Sequence, residues 1–358
     1  MTIRDQRQLE FANVWMKDKF GILYLCPRFG KIRTAINIFK QLKDPKILIA
    51  YPDNQIKASW IADFEELLDY DDHKVTYTTH LSLKKYVDEE YDIVVLDEIH
   101  LLSEAQIEVC KDIFSNNGNI LGLTGTLSPW TKKTLKEELS LGILAEYSIE
   151  TAIKEGVIVD YEITVVKVPL DNVVLQQYKT KQKTEKRQFD MLTYVINKLD
   201  REGGNAMFMR LGRMRIIQNS LAKRNKTKEL LKQHKDERVL VFCGVTSIAD
   251  SLGIPSYHNK SKEKQIFADF AEGVGNHLAV VKIGNTGTTY KPLDRVIINY
   301  FDSNPENLAQ KINRCMAMEY NTPDKKAHIY IVCSDESVEQ KWLIKALNFF
   351  DKTKINYV

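Results

Sequence analysis

Asp97 and Glu98 are the residues of this chain whose placement most directly suggests chemistry. They end an apolar run, Ile93 to Leu96, that is rich in β-branched side chains and has the length of a buried strand. At the carboxyl end of a parallel strand, such a pair faces the crevice where α/β sheets take their ligands. Asp97 offers the hard oxygen that Mg2+ accepts alongside phosphate and water. Glu98 is placed to orient or deprotonate a water that attacks a γ-phosphate. An acidic helix start would use the same two residues, because carboxylates are favoured at helix N-termini.

A second group of candidates lies upstream. Gly21 to Cys26 reads as a strand and residues 31–42 as a helix, joined by Pro27-Arg28-Phe29-Gly30-Lys31. Strand, Gly-Lys turn and helix form the context that a phosphate loop requires. Backbone N–H groups at the helix N-terminus would cradle phosphate, and Lys31 would bring a cation to the β and γ groups. The consensus G-x-x-x-x-G-K-[ST] is half met: Leu25 stands at the first glycine, and Ile32 replaces the hydroxyl that binds Mg2+. Taken alone, the pattern also describes a plain Gly-Lys turn.

The elements that must position these residues repeat along the chain. Residues 4–20 read as an amphipathic helix. Strand-like runs at Ile47–Tyr51, Val75–Thr79, Ile93–Leu96 and Ile120–Thr124 alternate with helices, one of which carries Trp60, read as core. A second alternating series starts at Arg238 and includes Ala279–Ile283, Arg295–Ile298 and His328–Cys333. Alternation of this kind predicts parallel sheets covered on both faces. The expected organisation is an α/β lobe over 1–150, a connecting and basic helical segment over 151–237, and a second α/β lobe over 238–358.

Composition narrows the class. With 358 residues, 44% hydrophobic and 28% charged, the chain has the profile of a soluble protein of two ordinary domains. No apolar run approaches the ~20 residues that span a bilayer, and the N-terminus has no secretory h-region. Five scattered cysteines without CxxC spacing point to a reducing cytoplasm, with no disulfide framework and no zinc site. The net charge of +3 is unevenly spread: residues 171–238 hold 17 Lys and Arg against 8 Asp and Glu, leaving the remainder acidic. Arg213, Arg215, Lys223 and Arg224 are the candidates there for contact with a polyanion, and a solvated helical face is the alternative.

In their order, these pieces resemble the superfamily 2 helicases and translocases, most closely the Swi/Snf-like and phage UvsW-like branches. Arg7-Gln8-Leu9-Glu10 is similar to the family's adenine-reading glutamine motif, with Gln8 as the base contact. Arg28, Phe29, Gly30, Lys31 and Ile32 fall on motif I, and Ala50-Tyr51-Pro52 with Trp60 on motif Ia. Asp97-Glu98-Ile99-His100 resembles a DExH box. Thr124-Gly125-Thr126 resembles motif III, which with His100 couples hydrolysis to lobe movement. Glu150 to Gly156 is similar to the EAI-x-x-G segment of UvsW-like translocases. Val239 to Cys243 looks like motif IV and Lys282 to Thr289, with Gly287, like motif V. Asn304-Pro305, Gln310 and Arg314 look like the start of motif VI, whose usual final arginine falls on Ala317.

The resemblance implies two RecA-like lobes, with ATP and Mg2+ between them and DNA, rather than RNA, held across both by its phosphates. It implies Lys31 on the nucleotide, Asp97 toward the metal, Glu98 on the attacking water, and Gln310 and Arg314 acting from the second lobe. It implies a motor in phage-type replication, recombination or branch migration, working in the host cytoplasm, with replication or recombination proteins as possible partners. Ile32 and Ala317 leave a second expectation open: a clamp that closes on ATP and nucleic acid with little hydrolysis.

Overall fold

The strand expected before the two carboxylates forms over Ile93–Asp97 and is buried along its whole length. Ile93, Val94, Val95 and Leu96 are each 0% exposed. Burial of such side chains contributes about 1.5–3 kcal/mol apiece, which holds the Asp97 carboxyl at the strand end despite its desolvation. In this computed structural model the described residues are 1–67, 74–178, 181–261, 263, 265–281, 291, 293–302, 304–316 and 325–358. They form two units that divide between Val159 and Asp160.

The first unit contains α1 (Ile3–Asp18), β1 (Phe20–Leu25), α2 (Lys31–Phe39), β2 (Ile47–Tyr51), α3 (Asn54–Leu67) and β3 (Val75–Thr79). It continues with β4 (Ile93–Asp97), α4 (Glu104–Asn116), β5 (Ile120–Thr124), α5 (Pro129–Leu139), β6 (Ile143–Tyr147) and α6 (Ile149–Lys154). Its strands form one parallel sheet in the order β3-β2-β4-β5-β1-β6, so their carboxyl ends share one edge. A capping box between Thr2 and Asp5 starts α1, and the Trp15 indole donates to the Ile120 carbonyl at 3.1 Å, fastening that helix to β5. Arg7 and the Tyr147 hydroxyl both donate to Glu155, which folds the turn at Gly156 (φ 67°) back on α1.

The second unit is built on seven parallel strands in the order β11-β12-β10-β13-β14-β7-β15. These are β7 (Asp160–Val168), β10 (Val239–Cys243), β11 (Ser256–Tyr257), β12 (His277–Val281), β13 (Arg295–Ile298), β14 (Lys326–Ser334) and β15 (Ile355–Tyr357). A short antiparallel hairpin, β8 (Gln176–Tyr178) with β9 (Lys181–Lys183), stands apart. The helices are α7 (Glu185–Arg201), α8 (Met207–Gln218), α9 (Leu221–Gln233), α10 (Thr246–Asp250), α11 (Gln265–Ala271), α12 (Pro305–Asn313) and α13 (Ser337–Leu347).

Here the structure departs from the expected boundaries. Residues 151–159 finish the first unit, and the second begins at Asp160 rather than at 238. The reason is long-range pairing: β7 lies between β14 and β15, and α9 packs Leu230 and Leu231 onto the same sheet through Val166, Val239 and Val241. The hairpin β8–β9 also forms in the segment read as helical. All five cysteines are buried, and no described helix is long and apolar enough to cross a membrane.

Candidate functional site

The phosphate-loop candidate joins β1 to α2 in a strained conformation. Arg28 (φ 67°) and Gly30 (φ 100°) both occupy the left-handed region, uncommon for a non-glycine such as Arg28. Glycine is required at 30 for a second reason: a Cβ there would meet Gln8 Nε2 at 2.4 Å. That nitrogen donates to the Phe29 carbonyl at 2.9 Å, and Gln8 is only 3% exposed. The residue expected to read adenine therefore braces the loop through its amide nitrogen. Phe29, expected at the nucleotide, is 0% exposed and packs its ring against Tyr147 (4.8 Å between centroids) and Phe11 (5.6 Å), so it anchors the loop in the core. Ile32 stands half-buried in the first turn of α2, and the Thr34 hydroxyl is engaged by the Gly30 carbonyl at 3.2 Å.

Lys31 leads from this loop to the carboxylates. Its ammonium forms an ion pair with Glu98, whose backbone also lies in the left-handed region (φ 50°, ψ 47°). Glycine at 125 leaves the room, since a Cβ there would lie 3.3 Å from Lys31 Nζ. Burial is the strongest single influence on Glu98 and works against its charge, but the Lys31 cation and the other groups around it together hold the carboxyl below its ordinary range. Glu98 Oε2 is buried without a hydrogen-bond partner, 3.5 Å from His100 Nδ1.

Asp97 is held differently. Its Oδ1 accepts the Glu98 backbone N–H at 2.9 Å, and its Oδ2 accepts the indole N–H of Trp60 at 3.0 Å. Burial pushes its carboxyl up to about 6, against the pull of Lys31. Trp60, read as core from the sequence, is core and polar partner at once; an aromatic at the motif Ia position was the available signal, but its target was not legible.

His100 joins the two remaining motifs. Thr124 Oγ1 donates to the Thr126 carbonyl at 2.6 Å, so it accepts from His100 Nδ1 at 2.9 Å. Nε2 then accepts from the Thr126 hydroxyl at 3.3 Å. Burial lowers the pKa of the ring to about 4, which keeps it neutral and makes this the tautomer that satisfies both threonines. Lys31, Asp97, Glu98, His100, Thr124, Gly125 and Thr126 are thus brought to one sheet edge. Among the described residues no group of three or more His, Cys, Asp and Glu is placed to hold a metal ion by itself.

In the second unit, Asn304 starts α12 by accepting the Asn307 N–H at 3.3 Å, and Gln310 and Arg314 stand half-buried on and just after that helix. Gly287, with the rest of Lys282 to Thr289, and Ala317 lie outside the described residues. The basic candidates separate. Arg215 is exposed and Arg224 half-buried, whereas the Arg213 guanidinium lies 5.6 Å from the Phe189 ring centroid and donates to Thr193. Lys223 is a correction: it is 0% exposed and ion-paired with Glu339, also 0% exposed, because α9 turns it onto α13. It offers no charge to a polyanion.

Residues 222–318 match the helicase conserved C-terminal domain. The chain is 22% identical over 299 residues to the DNA 3'-5' translocase XPB2 of Sulfurisphaera tokodaii, covering 74% of this chain and 67% of that protein. Among solved structures it is similar to the Hef helicase domain of Pyrococcus furiosus (TM-score 0.55, 13% identity, 97% and 98% of the two chains). It is also similar to a variant of S. cerevisiae Dbp5 bound to RNA and ADP BeF3 (TM-score 0.63, 12% identity, 98% and 89%). A third is a fragment of a putative HsdR subunit of a type I restriction enzyme from Vibrio vulnificus (TM-score 0.63, 12% identity, 99% and 67%). These structures show the fold: two RecA-like domains, each a parallel sheet flanked by helices. The matched domain and the distant translocase support a helicase of superfamily 2.

Proposed function

We propose that the chain is an ATP-dependent DNA translocase or helicase. The observation that carries this reading is the convergence of Lys31, Asp97 and Glu98 beside a left-handed loop at one sheet edge. The orphaned Glu98 Oε2, and the glycines at 30 and 125 whose Cβ atoms would crowd Gln8 and Lys31, fit a site for phosphates with a divalent cation. Asp97 would hold Mg2+, largely through water, with the nucleotide itself supplying further oxygens. Bound there, the ion would neutralise charge on the β- and γ-phosphate oxygens.

The chain's own residues do the rest. Lys31 exchanges Glu98 for the nucleotide phosphates, and the released Glu98 orients a water and takes its proton. His100, neutral and bonded to both threonines, ties the position of Glu98 to that of Thr124–Thr126. Gln310 and Arg314 are the second unit's candidates in this reading. DNA is favoured over RNA by the XPB2 relative, and exposed arginines such as Arg215 would grip phosphates without reading sequence. A setting in phage-type replication or recombination rests on the UvsW-like resemblance alone.

Ile32 favours a second reading, a clamp that binds ATP and DNA without turning over. Steady-state ATP hydrolysis across Mg2+ concentrations, with and without DNA, separates the two. The motor reading expects slow, DNA-stimulated hydrolysis with a raised Mg2+ requirement. Hydrolysis absent at every Mg2+ concentration, while ATP still tightens DNA binding, establishes the clamp.

A further inference from the structure

We propose that Trp60 is a positioning residue for Asp97, fixing which edge of the carboxylate is presented to a divalent cation. The inference rests on the nucleotide reading above. Asp97 is 4% exposed, and two donors approach its oxygens from separate parts of the chain: the Glu98 N–H on Oδ1 at 2.9 Å and the Trp60 indole on Oδ2 at 3.0 Å. Held at both oxygens, the carboxylate cannot rotate about its terminal bond without breaking a buried hydrogen bond.

The indole is itself enclosed. Trp60 is 0% exposed, with the rings of Phe64 and Phe39 at 6.2 and 6.4 Å between centroids and packed along α2 and α3. Packing alone would be met by phenylalanine, which has no N–H to bury; the tryptophan adds one polar atom, and that atom meets Asp97. Groups that orient a metal-binding side chain in this way typically change metal affinity or activity by about 10–100-fold when removed. Trp60 touches neither nucleotide nor metal in this account and acts through Asp97.

The test compares the natural chain with Trp60→Phe, using a fluorescent non-hydrolysed ATP analogue and anisotropy while Mg2+ is titrated. The expected result is an increase of about tenfold in the Mg2+ needed for half-maximal binding. Affinity for the analogue in EDTA should stay the same. In an Asp97→Ala background, Trp60→Phe should add no further shift, because the two residues act as one unit. An unchanged Mg2+ requirement, with only the melting temperature in EDTA lowered, overturns the proposal and leaves Trp60 a packing residue. If the natural chain binds no analogue at any Mg2+ concentration, the nucleotide reading itself has failed. The natural chain gives an independent check if Trp60→Phe does not fold. The Trp60 indole N–H resonance, assigned by substituting the other three tryptophans, should shift when Mg2+ joins the bound analogue. A resonance that does not move also overturns the proposal.

Discussion

Replacing Lys223 with methionine separates its structural role from the nucleic-acid role that its position in a basic segment suggests. Lys223 and Glu339 are both 0% exposed, and the second Glu339 oxygen accepts the Ser334 N–H at 2.6 Å. Methionine keeps most of the aliphatic stem beside Phe301 but leaves a buried carboxylate with a single backbone donor. Breaking a buried pair in this way costs about 3–5 kcal/mol, a large part of the stability of an ordinary domain. Urea unfolding followed by circular dichroism should show the loss in the transition of the second unit. Adding Glu339→Gln should recover a large part of it, because the charge is removed while an acceptor for Ser334 remains. The salt dependence of DNA binding should be unchanged, since a side chain out of solvent releases no counterions. A variant that loses less than about 1 kcal/mol and flattens the salt slope by about 0.7–0.9, as one lost phosphate contact would, refutes the assignment.

Lys31→Ala should weaken ATP binding by about tenfold or more, as loss of a charge-assisted contact requires, measured by anisotropy. Glu98→Gln should leave that binding intact and lower turnover by about 10²–10⁴, and a variant that turns over normally removes Glu98 from the site. Ile32→Thr should lower the Mg2+ requirement and raise turnover, because Thr34 already bonds the Gly30 carbonyl and supplies no substitute hydroxyl; an unchanged Mg2+ curve would show that Ile32 is no handicap. Burial lowers the Lys311 ammonium from 10.5 to about 8, so the folded chain binds fewer protons than the unfolded chain between those values. The sign follows: the penalty of burying this cation is full below about pH 8 and relieved as pH rises toward 10.5. Lys311→Met should therefore be most stabilising, relative to the natural chain, below pH 8, with the difference shrinking in alkali; a difference independent of pH would contradict the shift.

The candidate site was legible in the sequence because its parts are local. A β-branched run ending in Asp97-Glu98, and a Gly-Lys turn between strand and helix, each carry their own signal. The partners of Gln8, Phe29 and Trp60 were not legible, although Trp60 was read correctly as core. Their contacts cross the fold, to the Phe29 carbonyl, to Tyr147 and to Asp97, and residue type alone does not show where a side chain is satisfied. The same limit explains the domain boundary. β7 alternates half-buried and buried residues from Asp160 to Val165, a pattern that marks a strand, and only its pairing with β14 shows which sheet it joins. Lys223 misleads for a related reason: composition counts it as a surface cation, while the face of α9 that carries Thr227 and Leu230 turns it inward.

On the proposed reading, the ion pair between Lys31 and Glu98 would give the nucleotide-free chain a built-in competitor for its own ligand. A nucleoside with one phosphate would gain little by approaching, because it would not reach Lys31 to repay the broken pair. A triphosphate would reach it and displace the carboxylate in the same event. Admission would then be graded by the length of the phosphate chain, and Glu98 would be uncovered only when something worth hydrolysing had arrived.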